Sequence, residues 1–310
     1  MKKINTKIKV VGIGGAGCNA VSRMAKSEIK GVQLIAINTD DQDLKKIKAD
    51  IKLKIGRQMT QGLGAGMNPE VGKMAAEEQK EEIKEVLKNS DLIFITCGQG
   101  GGTGSGASPV VAEIAKNLGA LTIGIVTQPF SFEGLLRKEI AQEGIKNLKE
   151  KIDTLIVISN DNLFSALAPD ISLLNAFWFC DETLRQAVQG ISDLIVLPGI
   201  INVDFADIKT ILKDSGTAFF GIGQAKGEKR AEEAAKKAIY SPLFNVSPKG
   251  AKGILFNVSG GKDLTLTEVE EIAGIFTKEI IPEDKVIFGA VEDKKLTKGE
   301  IKVTVIATGF

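Results

Sequence analysis

Residues Gly100 to Gly106 read Gly-Gly-Gly-Thr-Gly-Ser-Gly, between an apolar run with the character of a buried strand, Asp91 to Cys97, and a helix-like run, Ser108 to Leu118. Few folds tolerate so many side-chain-free residues at one junction. Backbone N–H groups in such a stretch can converge on an anion, and Ser108 followed by Pro109 is a suitable N-cap and first-turn pair for the helix behind. Composition alone would also allow a flexible linker. Apolar strand and helix patterns, however, border the run within a residue or two on each side. Strand, glycine cradle and helix N-terminus together predict a phosphate site.

The residue types narrow the chemistry available there. No histidine occurs in the 310 residues, which removes Ser-His-Asp and Cys-His nucleophile systems, imidazole acid–base catalysis and the usual zinc ligand. Cys18, Cys97 and Cys180 form no CxxC pair and read as small buried residues in a reducing compartment. Carboxylates, amides, hydroxyls, backbone groups and a soluble metal ion remain. With a formal net charge of +1, 43% hydrophobic and 25% charged residues, nothing global steers the chain to nucleic acid or an anionic membrane. No apolar run reaches the roughly 18 residues that a membrane span needs, and the start leads into a strand pattern rather than a signal-peptide core. The expectation is a cytoplasmic globular protein of one large or two ordinary domains.

Strand and helix patterns alternate through the first half. Ile8 to Gly12 reads as a buried strand, Cys18 to Met24 as the start of a helix, and Val32 to Asn38 as a second strand ending in Thr39-Asp40-Asp41. A long charged helix is predicted from about Pro69 to Lys88, strands at Leu121 to Thr127 and Thr154 to Ser159, and a helix between them from about Gly134 to Lys151. This order predicts a mostly parallel sheet with helices on both faces. A long helix follows, Ser172 to about Val196. Beyond it, strand-like runs at Thr217 to Gly223, Gly253 to Val258, Lys285 to Glu292 and Glu300 to Ala307, with helices near Lys229 to Tyr240 and Thr267 to Glu279, predict a smaller α+β domain.

Gly12 to Gly17 fits GxGxxG after a strand, with Asp40 and Asp41 at a distance suited to a ribose contact. Alone this favours a dinucleotide enzyme, an NAD(P)-dependent oxidoreductase. The second glycine loop at Gly100 is a phosphate cradle that such an enzyme does not need. A GxxxxGK[ST] loop is absent, which excludes a P-loop NTPase. Glu133 and Arg137, four apart on one helix face, suggest an ordinary ion pair. Asp204 and Asp207, three apart at a helix start, share a face, and capping alone accounts for an aspartate there.

Taken in order, Asn38-Thr39-Asp40, Gly62-Leu-Gly-Ala-Gly66, Asn68-Pro-Glu-Val-Gly72, Gly100 to Gly106, Pro129-Phe-Ser-Phe-Glu-Gly134 and Asn202-Val-Asp-Phe-Ala-Asp207 resemble the tubulin/FtsZ superfamily, over nearly the whole chain. The bacterial FtsZ branch, cell-division GTPases, is the better match, tubulin proper being much longer. The resemblance implies a tubulin-like α/β fold. A Rossmann-type GTP-binding domain with a parallel sheet would occupy residues 1–171, a long central helix 172–197, and a smaller α+β domain with the catalytic loop 198–310.

It also implies roles. Gly15, Ala16, Gly17, Cys18 and Asn19 would line phosphates and sugar, and Gly102, Thr103 and Gly104 would hold the terminal phosphates. Glu133 and Arg137 would reach the sugar and phosphate end. Asp181 would accept the paired donors of guanine, with Phe177 over the ring and Asn160 nearby. Mg²⁺ would be bound mainly through phosphates and water rather than by protein ligands. Asp204 and Asp207 would polarise water and help hold a cation at the next subunit's nucleotide, Asn202 shaping the loop. Trp178, Phe179 and Cys180 depart from the family at the base pocket. With three thiols expected near that pocket, thiol modification would impair nucleotide binding.

The implied protein is a GTPase that polymerises head to tail with copies of itself, without nucleic-acid binding or membrane insertion, in the cytoplasm at the division site. A filament protein that hydrolyses poorly is the other reading within the family. The family's usual disordered linker and partner-binding tail would lie beyond Phe310, so contacts with cell-division proteins and membrane anchors through it are not carried over.

Overall fold

The computed structural model describes residues 6–165, 171–197, 199–241, 247–280, 285–293 and 296–310. Two compact units divide the chain, Met1–Gln189 and Gly190–Phe310. The division falls inside the long helix Leu173–Val196. Pro198 lies outside the described residues.

The first unit runs β1 (Ile8–Ile13), α1 (Gly14–Lys26), β2 (Val32–Asn38), α2 (Asp41–Lys46), β3 (Ile51–Lys54), α3 (Pro69–Glu78), α4 (Lys80–Leu87), β4 (Leu92–Gly98), α5 (Gly102–Asn117), β5 (Leu121–Gln128), α6 (Leu135–Lys149), β6 (Thr154–Ser159), α7 (Asn160–Ser165) and the start of α8 (Leu173–Val196). The strands pair in parallel in the order β3-β2-β1-β4-β5-β6. Runs such as Leu92 to Cys97 are buried on both faces, as a sheet covered on both sides by helices requires. Ile13, Ile35, Ile95, Val111 and Ala115 belong to one apolar core there.

Two predicted helices end differently. The charged stretch from Pro69 is not one helix but α3 and α4, broken at Gln79 (φ −103°, ψ 26°). Gln79 is buried, and its side-chain oxygen accepts from the Gly56 N–H, so a tertiary contact fixes the break. Helix α5 begins at Gly102, not at Ser108. Ser108 is fully buried and accepts from Gln99 Nε2 at 3.4 Å, and Pro109 sits inside the helix. The glycines are helical because α3 lies against them: a Cβ on Gly106 would stand 1.9 Å from the Pro69 carbonyl oxygen. Close packing outweighs the lost hydrogen bond at Pro109.

The second unit contains the end of α8, then α9 (Phe205–Leu212), β7 (Gly216–Lys226), α10 (Arg230–Ile239), β8 (Gly253–Gly260), α11 (Leu266–Ile280), β9 (Lys285–Glu292) and β10 (Glu300–Thr308). Strand β10 pairs antiparallel with β7 and β8, and β8 pairs parallel with β9. Phe256 anchors the core, edge-on to Phe276 at 5.1 Å and stacked on Phe288 at 5.6 Å. The buried Arg230 is bound at 2.6 Å by both Asp263 and Glu268, which compensates its desolvation.

Candidate functional site

In the order β3-β2-β1-β4-β5-β6 the chain builds outward in one direction from β1 and in the other from β4. Ligands bind beyond the carboxyl ends of the strands at such a reversal. Helices α1 and α5 both start there. Neither has a side-chain cap or an acidic residue in its first turn, so the first-turn N–H groups are open to an outside anion. The two starts nearly touch: a Cβ on Gly14 (φ +70°) would come within 3.0 Å of the Gly104 nitrogen.

The cleft they face is lined by Gly14, Gly15 and Ala16 of α1, Gly101 to Gly104, and Gly98, Gln99 and Thr127 at strand ends. Glu133, Arg137, Asn160, Phe177, Cys180 and Asp181 complete it. The Thr103 hydroxyl lies 2.7 Å from that of Thr39, so the pair keeps one hydroxyl proton for a ligand after making its own bond. Glu133 pairs with Arg137 and accepts from the Phe130 N–H at 2.9 Å. Phe177 is held edge-on by Phe130 at 5.4 Å with a face left exposed. Asn160 is buried, and its side-chain oxygen has no partner among the described residues, as expected of a group kept for a ligand.

Three residues assigned to the phosphates and sugar lie off this lining. Gly17 packs α1 onto the sheet: a Cβ there would stand 2.3 Å from the Thr96 carbonyl oxygen. Cys18 points into the core, its thiol 3.5 Å from the Gly12 and Ile37 carbonyls. Asn19 is exposed on the α1 face that carries Gly15 and Ala16. Conversely, Gln99 and Arg23 belong to the site or touch it without a local motif that marks them, and Thr39, of the Asn38-Thr39-Asp40 motif, touches it through Thr103.

Of the three thiols expected near that pocket, one reaches its lining. Cys18 and Cys97 are fully buried and only Cys180 lines the cleft. Burial pushes each thiol up to about 12, aided at Cys180 by the negative Asp181 and Glu133. Thiolate is therefore scarce at neutral pH. Iodoacetamide at pH 7.5 is expected to leave all three unmodified in the folded protein and to label them once it is denatured, read by intact mass; rapid native labelling would contradict this burial.

Asp181 is pushed up to about 6 by burial, opposed by Arg23, whose Nη2 lies 3.3 Å from Oδ2. Because the folded value exceeds the ordinary 3.8, the associated stability is fully present below that ordinary value and is lost as pH rises through about 6. The loss is at most about 3 kcal/mol. Asp181→Asn is expected to flatten the fall in thermal midpoint of the nucleotide-free protein between about pH 4 and 7; an unchanged slope would contradict it.

In the second unit, Ile201 exchanges backbone hydrogen bonds with Ala290 of β9, both 3.1 Å, and Asn202 Oδ1 accepts from the Gly199 N–H at 2.8 Å. Asp204 caps α9, accepting from the Ala206 N–H at 2.9 Å, and Asp207 lies in the first turn. Asn202, Asp204 and Asp207 are all exposed, on a loop fixed by its own backbone.

A parallel sheet with two uncapped helix starts at its point of reversal defines a nucleotide-binding domain without a P-loop. Residues 7–168 match the Tubulin/FtsZ family GTPase domain, and residues 216–310 match the FtsZ family C-terminal domain. A dimer structure of FtsZ from M. jannaschii is 47% identical, with a TM-score of 0.93, over 98% of this chain and 88% of that one. A mutant form of the same FtsZ aligns equally well, over 98% and 91%. A GTPγS-bound protofilament structure of CetZ2 from Haloferax volcanii shares the fold at 21% identity and a TM-score of 0.84, over 97% and 92%. The chain belongs to the FtsZ family. It is a GTPase, a GTP-binding cytoskeletal protein of the polymerising kind. Among the described residues no helix is long and apolar enough to cross a membrane.

Proposed function

We propose that this chain hydrolyses GTP only where two copies meet head to tail, the cleft of one receiving the Asn202 to Asp207 loop of the next. One observation carries the reading: of the carboxylates lining the cleft among the described residues, Glu133 is tied to Arg137 and Asp181 to Arg23. Neither is free to orient water at a terminal phosphate. Asp204 and Asp207 are exposed and presented by a fixed loop, and a head-to-tail contact does not close on itself, so filaments result.

Within the cleft, the starts of α1 and α5 receive the phosphates, Arg137 adds positive charge, and Phe177, Asn160 and Asp181 hold the base. An ionised carboxylate accepts the N1–H and amino donors of guanine together. Among the described residues no group of three or more His, Cys, Asp or Glu could hold a metal. Mg²⁺ would therefore take phosphate and water ligands, with Asp204 or Asp207 of the next copy beside it, and would neutralise developing charge. The cellular role we assign is cell division, in the cytoplasm at the division site.

Mixing two inactive variants tests the shared site. Asp207→Asn keeps the cleft and lacks a loop carboxylate; Gly101→Ala keeps the loop and obstructs the cleft. Each alone is expected to release phosphate slowly and an equal mixture to recover a substantial fraction of parent turnover. A mixture no faster than the sum of its parts would overturn the reading.

A further inference from the structure

Arg23 stands in two contacts at once. Its Nη2 lies 3.3 Å from Asp181 Oδ2, and its guanidinium carbon lies 4.8 Å from the centroid of the Trp178 ring. Trp178 and Asp181 are three apart on α8 and so share a face. Phe179 packs edge-on against the indole at 5.2 Å. The flat cation is thus pressed between a carboxylate and an aromatic ring, an arrangement that fixes its plane.

We infer that Arg23, held by Trp178, is the positioning residue of the base-recognising carboxylate, keeping Asp181 ionised so that the cleft reads guanine rather than adenine. The inference rests on the proposed role of Asp181 and adds what sets its selectivity. An ionised carboxylate offers only acceptors, which suit the two donors on guanine. A protonated carboxyl carries one donor and one acceptor, which suit N1 and the amino group of adenine. Selectivity between the bases therefore depends on the proton.

The other charged groups around Asp181 do not replace Arg23. Across the cleft, Glu133 and Arg137 pair with each other. Next along α8, Glu182 is bound by Arg185 at 2.6 Å, and the Cys180 thiol, raised to about 12, is uncharged at neutral pH. Burial pulls Asp181 toward its neutral form and Arg23 pulls it back, leaving it at about 6. Without Arg23 the carboxyl moves further up, and neutral pH populates the protonated form.

The test measures GTP and ATP binding by equilibrium dialysis from about pH 5.5 to 8.5 for the parent, Arg23→Met, Arg23→Lys, Trp178→Leu and Asp181→Asn. The terminal phosphate titrates alike in all five, so differences from the parent are what count. Parent affinity for GTP is expected to be level above about 6 and to fall by up to about tenfold per pH unit below it. In Arg23→Met the fall begins at higher pH: GTP affinity drops roughly three- to tenfold at neutral pH, recovers at the alkaline end, and ATP affinity rises. Arg23→Lys, which keeps the charge, restores most of the profile, and Trp178→Leu moves it part of the way. Trp178 is the single tryptophan, so its emission reports directly on the stack in Arg23→Met.

A loss in Arg23→Met that is the same at every pH, or an unchanged profile, would overturn the inference, because a merely structural arginine has no reason to act through pH. If Asp181→Asn fails to weaken GTP relative to ATP, the base-binding role of Asp181 itself is wrong. If Asp181→Asn weakens GTP and Arg23→Met shifts nothing, only the role of Arg23 is wrong.

Discussion

Asp204→Asn is expected to slow GTP turnover by roughly 10²- to 10⁴-fold, the range for a group that positions or activates the attacking water. The choice of asparagine matters because Asp204 has a second job. Its Oδ1 accepts from the Ala206 N–H at 2.9 Å and caps α9. Asparagine caps about as well as aspartate, whereas alanine costs typically about 1 kcal/mol. Asp204→Asn should therefore keep its thermal midpoint and its GTP affinity while losing turnover. Asp204→Ala should lose turnover and some stability together. Phosphate release beside calorimetry separates the two, and near-parent turnover in a stable Asp204→Asn would leave this carboxylate with capping alone.

The glycine run should divide into two phenotypes. Gly106→Ala puts a Cβ 1.9 Å from the Pro69 oxygen, so α3 and α5 must part. Such overpacking costs on the order of 1 to 3 kcal/mol, visible as a lower denaturant midpoint. Gly101 has φ −101°, lines the cleft and, its own chain neighbours aside, has no atom of the described residues within 4 Å of an added Cβ. Gly101→Ala should fold normally and lose GTP affinity by about tenfold or more, since the methyl group takes phosphate space. Loss of stability in Gly101→Ala, or full stability in Gly106→Ala, would reverse the assignment.

That contrast shows what the sequence made legible. Strands Val32–Asn38 and Thr154–Ser159 keep their expected bounds because burial on both faces leaves a nearly continuous apolar pattern, whereas Lys285–Glu292, an edge strand largely exposed up to Phe288, shows only a partial one. The glycine run lies at the cleft in part, yet its glycines serve two purposes that composition cannot separate. Gly101 faces open cleft, while Gly106 lets a neighbouring helix lie close. Helix α5 starts six residues before Ser108-Pro109, whose good local capping signals tertiary packing overrides. Gln79 breaks a helix through a bond to Gly56, 23 residues away.

The cleft lining was partly readable for the same reason. Gly15, Ala16, Thr103, Glu133 and Arg137 sit in or beside motifs with fixed spacing and do line the cleft, as does Asp181, which only the family resemblance pointed to. Gly17 and Cys18 belong to the same motif, but a helix has an inner face, and 3.6 residues per turn put them on it. Arg23 meets Asp181 across 158 positions, a contact that no local pattern announces.

The most direct test of a site shared between copies is phosphate release from GTP and Mg²⁺ across a range of protein concentrations, with light scattering recorded in the same cuvette. The account predicts that release per molecule and scattering rise together above a threshold concentration, and that Asp207→Asn retains the scattering while losing the release. Release per molecule that stays constant on dilution, with no scattering, would mean that one chain holds the whole active site.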